Sequence, residues 1–351
     1  MHIGMFMEFG LRESGSDVEA FGEGFDLVDA AESWGLDSAW LSEFHFNPQR
    51  AVVASPIVTA RAMAARTKRI RIGMAVYVLP LTNPLRVAEE AATLDHICEG
   101  RLDFGIGRSG FRRAYNSYNI DYDESQERFD EALEVLREAW KGKPFSFDGK
   151  FYKVSDAQVV PQPVQKPTPP MRMAATSPGT FSKVAQEGLP LFVGLRGDGL
   201  EALRDNLDVY RGAWKEAGHP GEGSVFLRVP VYAADTQEMA LEEPRENITY
   251  YFERQARMVA ASRASAGEAG SSTAGTEKTI AKLESLTYDD ILKSRVAFGS
   301  ASGLIDRFNE WGEVLGIDGV IAELNAGGMM TEAQVKHSLR IITHDVMPAF
   351  K

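Results

Sequence analysis

Hydrophobic and polar positions along this chain switch repeatedly between two periods. Short apolar runs fall at His2–Phe9, Ser38–Ser42, Ile70–Leu79, Leu102–Gly107, Met171–Ala175, Leu189–Val193, Val225–Ala233 and Gly319–Ala322. Runs of this length with little alternation predict strands covered on both faces, as in a parallel sheet. Between them apolar residues recur at helical spacing. Phe21, Phe25, Val28, Ala31 and Trp34 form one such stripe; Leu200, Leu203, Leu207, Tyr210 and Trp214 form another. The punctuation agrees. Ser16 followed by Glu19 is a capping box, and Gly35 is a natural stop. Ser55-Pro56 and Asn83-Pro84 place proline at a first helical position, Gly100 follows the end of the third helix, and Ser125–Trp140 reads as the fourth. Strand–helix units joined by right-handed crossovers close most simply into one α/β (β/α)8 barrel spanning residues 1–351. An open doubly wound sheet is the competing architecture.

Two segments break the alternation. After the fourth strand, residues 141–170 hold a predicted hairpin, Phe145–Tyr152, turning at Asp148-Gly149, and a proline-rich spacer, Pro161–Pro170. After the seventh strand, Thr236–Arg295 is a longer insertion. Its centre, Ala264–Thr276, is mostly Gly, Ala, Ser and Thr, which buries little and predicts a mobile loop. Ala260–Arg295 is therefore the candidate lid.

Charge and cysteine content narrow the function. The net charge of −12 and pI near 5.1 argue against a nucleic-acid groove. The single cysteine, Cys98, excludes an internal disulfide framework and any cysteine-rich metal site. No apolar run is long enough to span a bilayer, and the N-terminus reads directly as a strand. A reducing cytoplasm is the expected location. The six histidines show no paired ligand spacing, Asp95-His96 is isolated, and there is no G-x-S-x-G elbow, so neither a metal nor a hydrolase triad is expected.

Gly105-Ile106-Gly107-Arg108-Ser109-Gly110 matches the dinucleotide fingerprint G-x-G-x-x-G. That fingerprint needs a helix opening at once, whereas Phe111–Asn116 and the residues down to Ser125 read as a polar loop. A tight turn at a strand end fits better. In a barrel, chemistry collects just past the C-terminal ends of the strands. Past the second strand, Glu43 and His45 are two residues apart and point the same way on extended chain. They read either as an acid/base pair or as a packed histidine held by a carboxylate. Past the fifth strand, Ser177-Pro178 opens a helix with Thr176 and Thr180 beside it. Free N–H groups and hydroxyls there suit an anion, and Arg108 at the end of the fourth strand can reach the same group. Plain capping by Ser177 with a solvated Arg108 accounts for the same residues.

Taken in order, several segments resemble the bacterial-luciferase-like family of flavin monooxygenases. They are Trp40-Leu41-Ser42-Glu43-Phe44-His45-Phe46, Leu79-Pro80-Leu81-Thr82-Asn83-Pro84-Leu85-Arg86, Leu94-Asp95-His96, Gly100–Arg108, Ala185-Gln186-Glu187-Gly188-Leu189-Pro190 and Asp345-Val346-Met347-Pro348. The resemblance covers nearly the whole chain. It implies a barrel that binds reduced FMN, adds O2 at the flavin and transfers one oxygen atom to a small organic substrate. It implies a separate NAD(P)H:flavin reductase and a homodimer through helices near the second and third strands. By position it implies a non-prolyl cis peptide at Ala75-Val76 under the flavin ring, Ala174 along that ring, and phosphate contacts from Arg108, Thr176, Ser177 and Thr180. His45, oriented by Glu43, is the implied acid/base residue. Two departures stand out: Phe44 occupies the place of a histidine important to light emission, and Gly107 that of a reactive cysteine. Luciferase-type aldehyde chemistry and light emission are therefore not expected. Two alternatives are a relative that uses a deazaflavin for hydride transfer and a non-catalytic flavin-binding subunit. The substrate does not follow from the sequence.

Overall fold

The computed structural model describes residues 1–12, 15–47, 50–195, 199–264 and 273–351. Eight strands form a ring: β1 His2–Met7, β2 Ser38–Leu41, β3 Arg71–Met74, β4 Leu102–Gly107, β5 Met171–Ala174, β6 Leu191–Gly194, β7 Val225–Ala233 and β8 Gly319–Glu323. Tyr77–Val78 continues β3 along β4. Each strand pairs in parallel with the next, and β8 pairs with both β7 and β1, so the ring closes. Closure excludes the open sheet and, with it, the dinucleotide fold that the glycine motif suggested.

The strands are buried almost throughout because helices cover the outside and side chains fill the inside. Within the barrel, Phe6, Trp40, Phe192, Phe226 and Ile321 pack as one cluster, with Ala75 against it. At the opposite end from the strand C-termini, Ser38 Oγ accepts from Trp40 Nε1 at 2.7 Å and contacts His2 Nε2 at 2.6 Å.

Local signals hold where they are chemical. Ser16 and Glu19 make the reciprocal capping box that opens helix Asp17–Trp34, and Gly35 ends it in the left-handed region at φ 80°. Helices Pro56–Arg66 and Pro84–Ile97 start at their prolines, and the fourth predicted helix runs Ser125–Ala139.

Four expectations need correction. The predicted first strand stops at Met7, and Phe9 adopts φ 49°. The hairpin is longer than expected: Phe145–Asp148 pairs with Lys153–Ala157 around a turn closed by Gly149 N–H to Tyr152 O at 3.0 Å. The polar loop after β4 contains a helix, Arg112–Ser117, because Ala114 and Tyr115 bury against Val78 and Leu81. The insertion after β7 is mostly helical: Gln237–Glu242, Arg245–Ala264, Thr273–Glu284 and Tyr288–Ser294. Ile248, Phe252, Leu283 and Ile291 give it a core of its own. Of the loop expected at Ala264–Thr276, residues 265–272 lie outside the described residues, and a helix begins at Thr273. A strand missed from sequence, Ala297–Gly299, pairs with the C-terminal half of β7.

Candidate active site

The C-terminal ends of the strands carry the expected residues. Past β2, His45 Nε2 lies 2.7 Å from Glu43 Oε1, and both side chains are under one-tenth exposed. The other Glu43 oxygen accepts from the Val78 N–H at 2.9 Å, so the carboxylate ties the β2 loop to the continuation of β3. Tyr118 closes the pair from outside, its hydroxyl 3.3 Å from His45 Nδ1 and its ring edge-on to the imidazole at 5.3 Å. The imidazole thus has a partner at each nitrogen, the arrangement that fixes a ring's orientation and proton position. Phe44 points elsewhere. It packs on Phe111 at 5.8 Å and beneath the Arg50 guanidinium at 4.0 Å.

At the end of β3 the Ala75-Val76 peptide is cis, at the position where it was expected, and both residues are partly exposed at the mouth. Gly107 on β4 gives Val76 its room: a Cβ there would lie 2.6 Å from Val76 Cγ2. Gly105 is packed tighter still, with its would-be Cβ 1.9 Å from the Met74 carbonyl oxygen. Close approach of β3 to β4 therefore accounts for the first two glycines of the false fingerprint.

Arg108 follows β4 directly, and its Nη1 donates to Ser125 Oγ at 2.9 Å. The guanidinium lies 5.3 Å from the Tyr122 ring, and its backbone carbonyl accepts the Tyr115 hydroxyl. Burial drives the Tyr115 phenol well above its ordinary pKa, so it stays a neutral donor. Ala174 ends the neighbouring strand β5, and Thr176, Ser177 and Thr180 follow at the start of helix Pro178–Gln186. Ser177 Oγ contacts Thr180 Oγ1 at 2.7 Å and makes no capping bond to its own helix. Thr176, Ser177 and Gly179 are exposed, and a Cβ on Gly179 would meet nothing within 4 Å. The corner is open rather than plugged. Arg108 and the Ser177 turn stand on adjacent strand ends without a hydrogen bond between them.

Sequence reasoning missed three residues here. Tyr115 lies on the helix that was read as loop and Tyr118 directly follows its end, and Ser125, the partner of Arg108, was read only as a helix start. It also missed a charged group where Glu8 follows β1, Arg228 stands inside β7 and Glu323 ends β8. An arginine inside Val225–Ala233 is the signal that could have found it. Asp95 and His96, by contrast, are scaffold: Asp95 accepts from the Gln165 backbone N–H at 2.9 Å and its amide at 2.8 Å, and His96 contacts Gln162 O at 2.9 Å. They pin the proline-rich spacer to the barrel. Among the described residues no cluster suited to a metal ion occurs, and no helix is long and apolar enough to cross a membrane.

The comparisons with known proteins agree with this layout. The family model for luciferase-like monooxygenases matches residues 1–319. The oxygenase component of a flavin-dependent trigonelline monooxygenase from Acinetobacter baylyi is 27% identical over 342 residues, 95% of this chain and 90% of that protein. An F420-dependent glucose-6-phosphate dehydrogenase from Kineococcus radiotolerans is 29% identical over 63% of this chain and 66% of its own. The match to an uncharacterised protein, y4vJ of Sinorhizobium fredii, is 36% identical but spans 49% of each chain. Among solved structures, the oxygenating constituent of 3,6-diketocamphane monooxygenase from Pseudomonas putida, in complex with FMN, superposes with a TM-score of 0.83. It covers 99% of this chain and 98% of its own at 22% identity, a likeness of fold. With the family model covering most of the chain and the strand-end residues in place, the chain belongs to the luciferase-like monooxygenases, a family of enzymes here built on a closed (β/α)8 barrel.

Proposed function

We propose that the protein is the oxygenase of a two-component, FMN-dependent monooxygenase, using O2 and reduced FMN from a separate NAD(P)H:flavin reductase on a small organic substrate. The observation that carries this is the open turn past β5. Its helix start presents the free Gly179 N–H, two linked hydroxyls and no side-chain cap, with Pro178 carrying no N–H and the Thr180 N–H bonded to Ser177 O, a donor set suited to a phosphate monoester. Arg108 supplies a guanidinium from the next strand, freed for the phosphate by exchanging its bond to Ser125. Ala75, Val76 and Ala174 are small or slender residues at the strand ends between this turn and the Glu43–His45 pair, a seat suited to a planar ring. The bound flavin would supply the activation of O2.

The chain's own residues position and exclude. Glu43 holds His45 by one oxygen and the Val78 backbone by the other, so the imidazole is fixed to donate or accept a proton at the mouth. Helix Arg245–Ala264 of the insertion after β7 reaches this end of the barrel, where Met258 contacts the Arg50 guanidinium, and would help to keep water from the reacting groups.

The test is an FMN titration with Arg108→Ala. Loss of one charge-assisted contact is worth about 1.5–3 kcal/mol, so affinity should fall about ten- to hundredfold. Unchanged affinity would remove Arg108 from the phosphate site. A deazaflavin reading has its own support in the F420-dependent relative. Oxygen uptake with reduced FMN separates the two, because deazaflavin hydride transfer consumes no O2.

A further inference from the structure

A cavity of about 110 Å3 opens between the ends of β1 and β8, lined in part by Phe6, Phe9, Arg254 and Leu324. One water needs about 10–15 Å3 on this measure, so the space admits a ligand of several heavy atoms. Its wall is charged by Glu8, Arg50 and Glu323, with Arg228 pairing behind them. Arg50 pairs with Glu8 at 2.5 Å, and Arg228 pairs with Glu323 at 2.7 Å and reaches Glu8 at 3.5 Å. Burial works to raise the Glu8 carboxyl, but the Arg50 and Arg228 guanidiniums outweigh it and hold it below its ordinary range. At the rim, Arg12 pairs with Glu23 and Lys336 with Glu332.

Arg254 is the charge left over. It comes from helix Arg245–Ala264 and is only 8% exposed. Its Nη2 donates to Ala326 O at 2.6 Å and its Nη1 to Gly327 O at 3.5 Å, both neutral acceptors. Its Nε–H has no partner, and among the described residues no carboxylate lies within ion-pair distance of it. Three guanidiniums thus share two carboxylates. A buried cation without a counterion is costly, and proteins keep one where a ligand supplies the missing charge. The fork of a guanidinium matches the two oxygens of a carboxylate. The cavity also adjoins the proposed reaction centre: Phe6 lines it and belongs to the cluster that Ala75 packs against. Arg50 stacks on Phe44, next to the Glu43–His45 pair.

We infer that this cavity anchors the substrate and that the substrate is a small organic acid whose carboxylate is held by Arg254. The inference rests on the oxygenase reading and gives it a substrate class. Glu323 Oε1, also buried without a partner, offers an acceptor on the same wall for a hydroxyl or ammonium group of that acid.

The experiment measures binding of acetate, butyrate and benzoate against acetamide, butyramide and benzamide, by calorimetry on wild type, Arg254→Met and Arg254→Lys. At least one acid should bind wild type tenfold or more tightly than its amide. Arg254→Met should erase that preference, and Arg254→Lys should keep part of it, which guards against a mere folding defect. If no acid is preferred by wild type, or if the preference survives in Arg254→Met, the inference fails. FMN is titrated into the same three proteins. Equal flavin affinity is the expected result, and absence of flavin binding to wild type would sink the oxygenase reading while leaving the acid preference measured.

Discussion

Gly105 and Gly107 look alike in sequence and should behave differently when given a methyl group. At Gly105 the new Cβ would lie 1.9 Å from the Met74 carbonyl oxygen, a backbone atom inside the β3–β4 pairing. Only separation of the strands relieves that, and overpacking of this kind costs about 1–3 kcal/mol or more. Unfolding entropy of about 2.1 cal/mol/K per residue, summed over the chain, converts this into a fall in Tm of roughly 1–4 °C. At Gly107 the obstruction is the Val76 Cγ2 methyl at 2.6 Å, with the rest of that side chain at 3.4 Å or more. A turn about one bond relieves it, so Gly107→Ala should cost less stability. The displaced Val76, however, lies in the proposed flavin seat, and FMN affinity should fall roughly fivefold, about 1 kcal/mol. Thermal unfolding without ligand and FMN titration on both variants give the comparison. Gly105→Ala should lose stability first and Gly107→Ala affinity first. Were both variants to lose FMN while keeping wild-type Tm, the glycines would be contacting the cofactor and the strand-packing account would be refuted.

Replacing His45 by Gln should lower product formation about a hundredfold, the low end for general acid–base catalysis, with FMN affinity within twofold of wild type; a parallel loss of FMN binding would assign His45 a structural role instead. His2 is stacked on Phe226 at 4.8 Å, and burial holds its pKa below the ordinary 6.5. The unfolded chain therefore binds the extra proton first, stability declines as pH falls below about 6.5, and His2→Gln should flatten that decline in Tm measured between pH 8 and 5. Ser338 Oγ accepts the Ala233 N–H at 2.9 Å with neither residue exposed. Ser338→Ala should cost about 1–3 kcal/mol, read as a lower urea midpoint at unchanged slope.

The barrel was legible because its signals are local. Proline at a first helical turn, a serine three residues before a glutamate and a buried β-branched run each act within a few residues, and each of the eight strands was found by them. What failed is what tertiary contact decides. Helix Arg112–Ser117 carries no apolar stripe of its own and exists because Tyr115 is buried against Val78 and Leu81. Strand Ala297–Gly299 is three residues long, too short for any period, and is made by its pairing with Val231–Ala233. The insertion after β7 showed only a centre that buries little, Ala264–Thr276, yet on either side of it Ile248, Phe252, Leu283 and Ile291 make a core once they face one another.

The same division separates the two halves of the candidate site. Glu43 and His45 sit two apart on extended chain, so their contact follows from strand geometry, and the Ser177 turn follows from a helix start. The cavity between β1 and β8 follows from neither. Its charged surroundings draw on the ends of β1 and β8, the middle of β7, the loop after β2 and a helix of the insertion, and neither Arg50–Glu8 nor Arg228–Glu323 joins neighbours in sequence. What betrays such a site in a sequence is only that charge stands where burial is certain, as Arg228 does in the middle of β7. The proposed cofactor contacts lie where strands end, and strand ends are local features. The proposed substrate contact comes from a helix of the insertion, and only the folded chain shows that Arg254 arrives there with neutral acceptors and an unpartnered Nε–H.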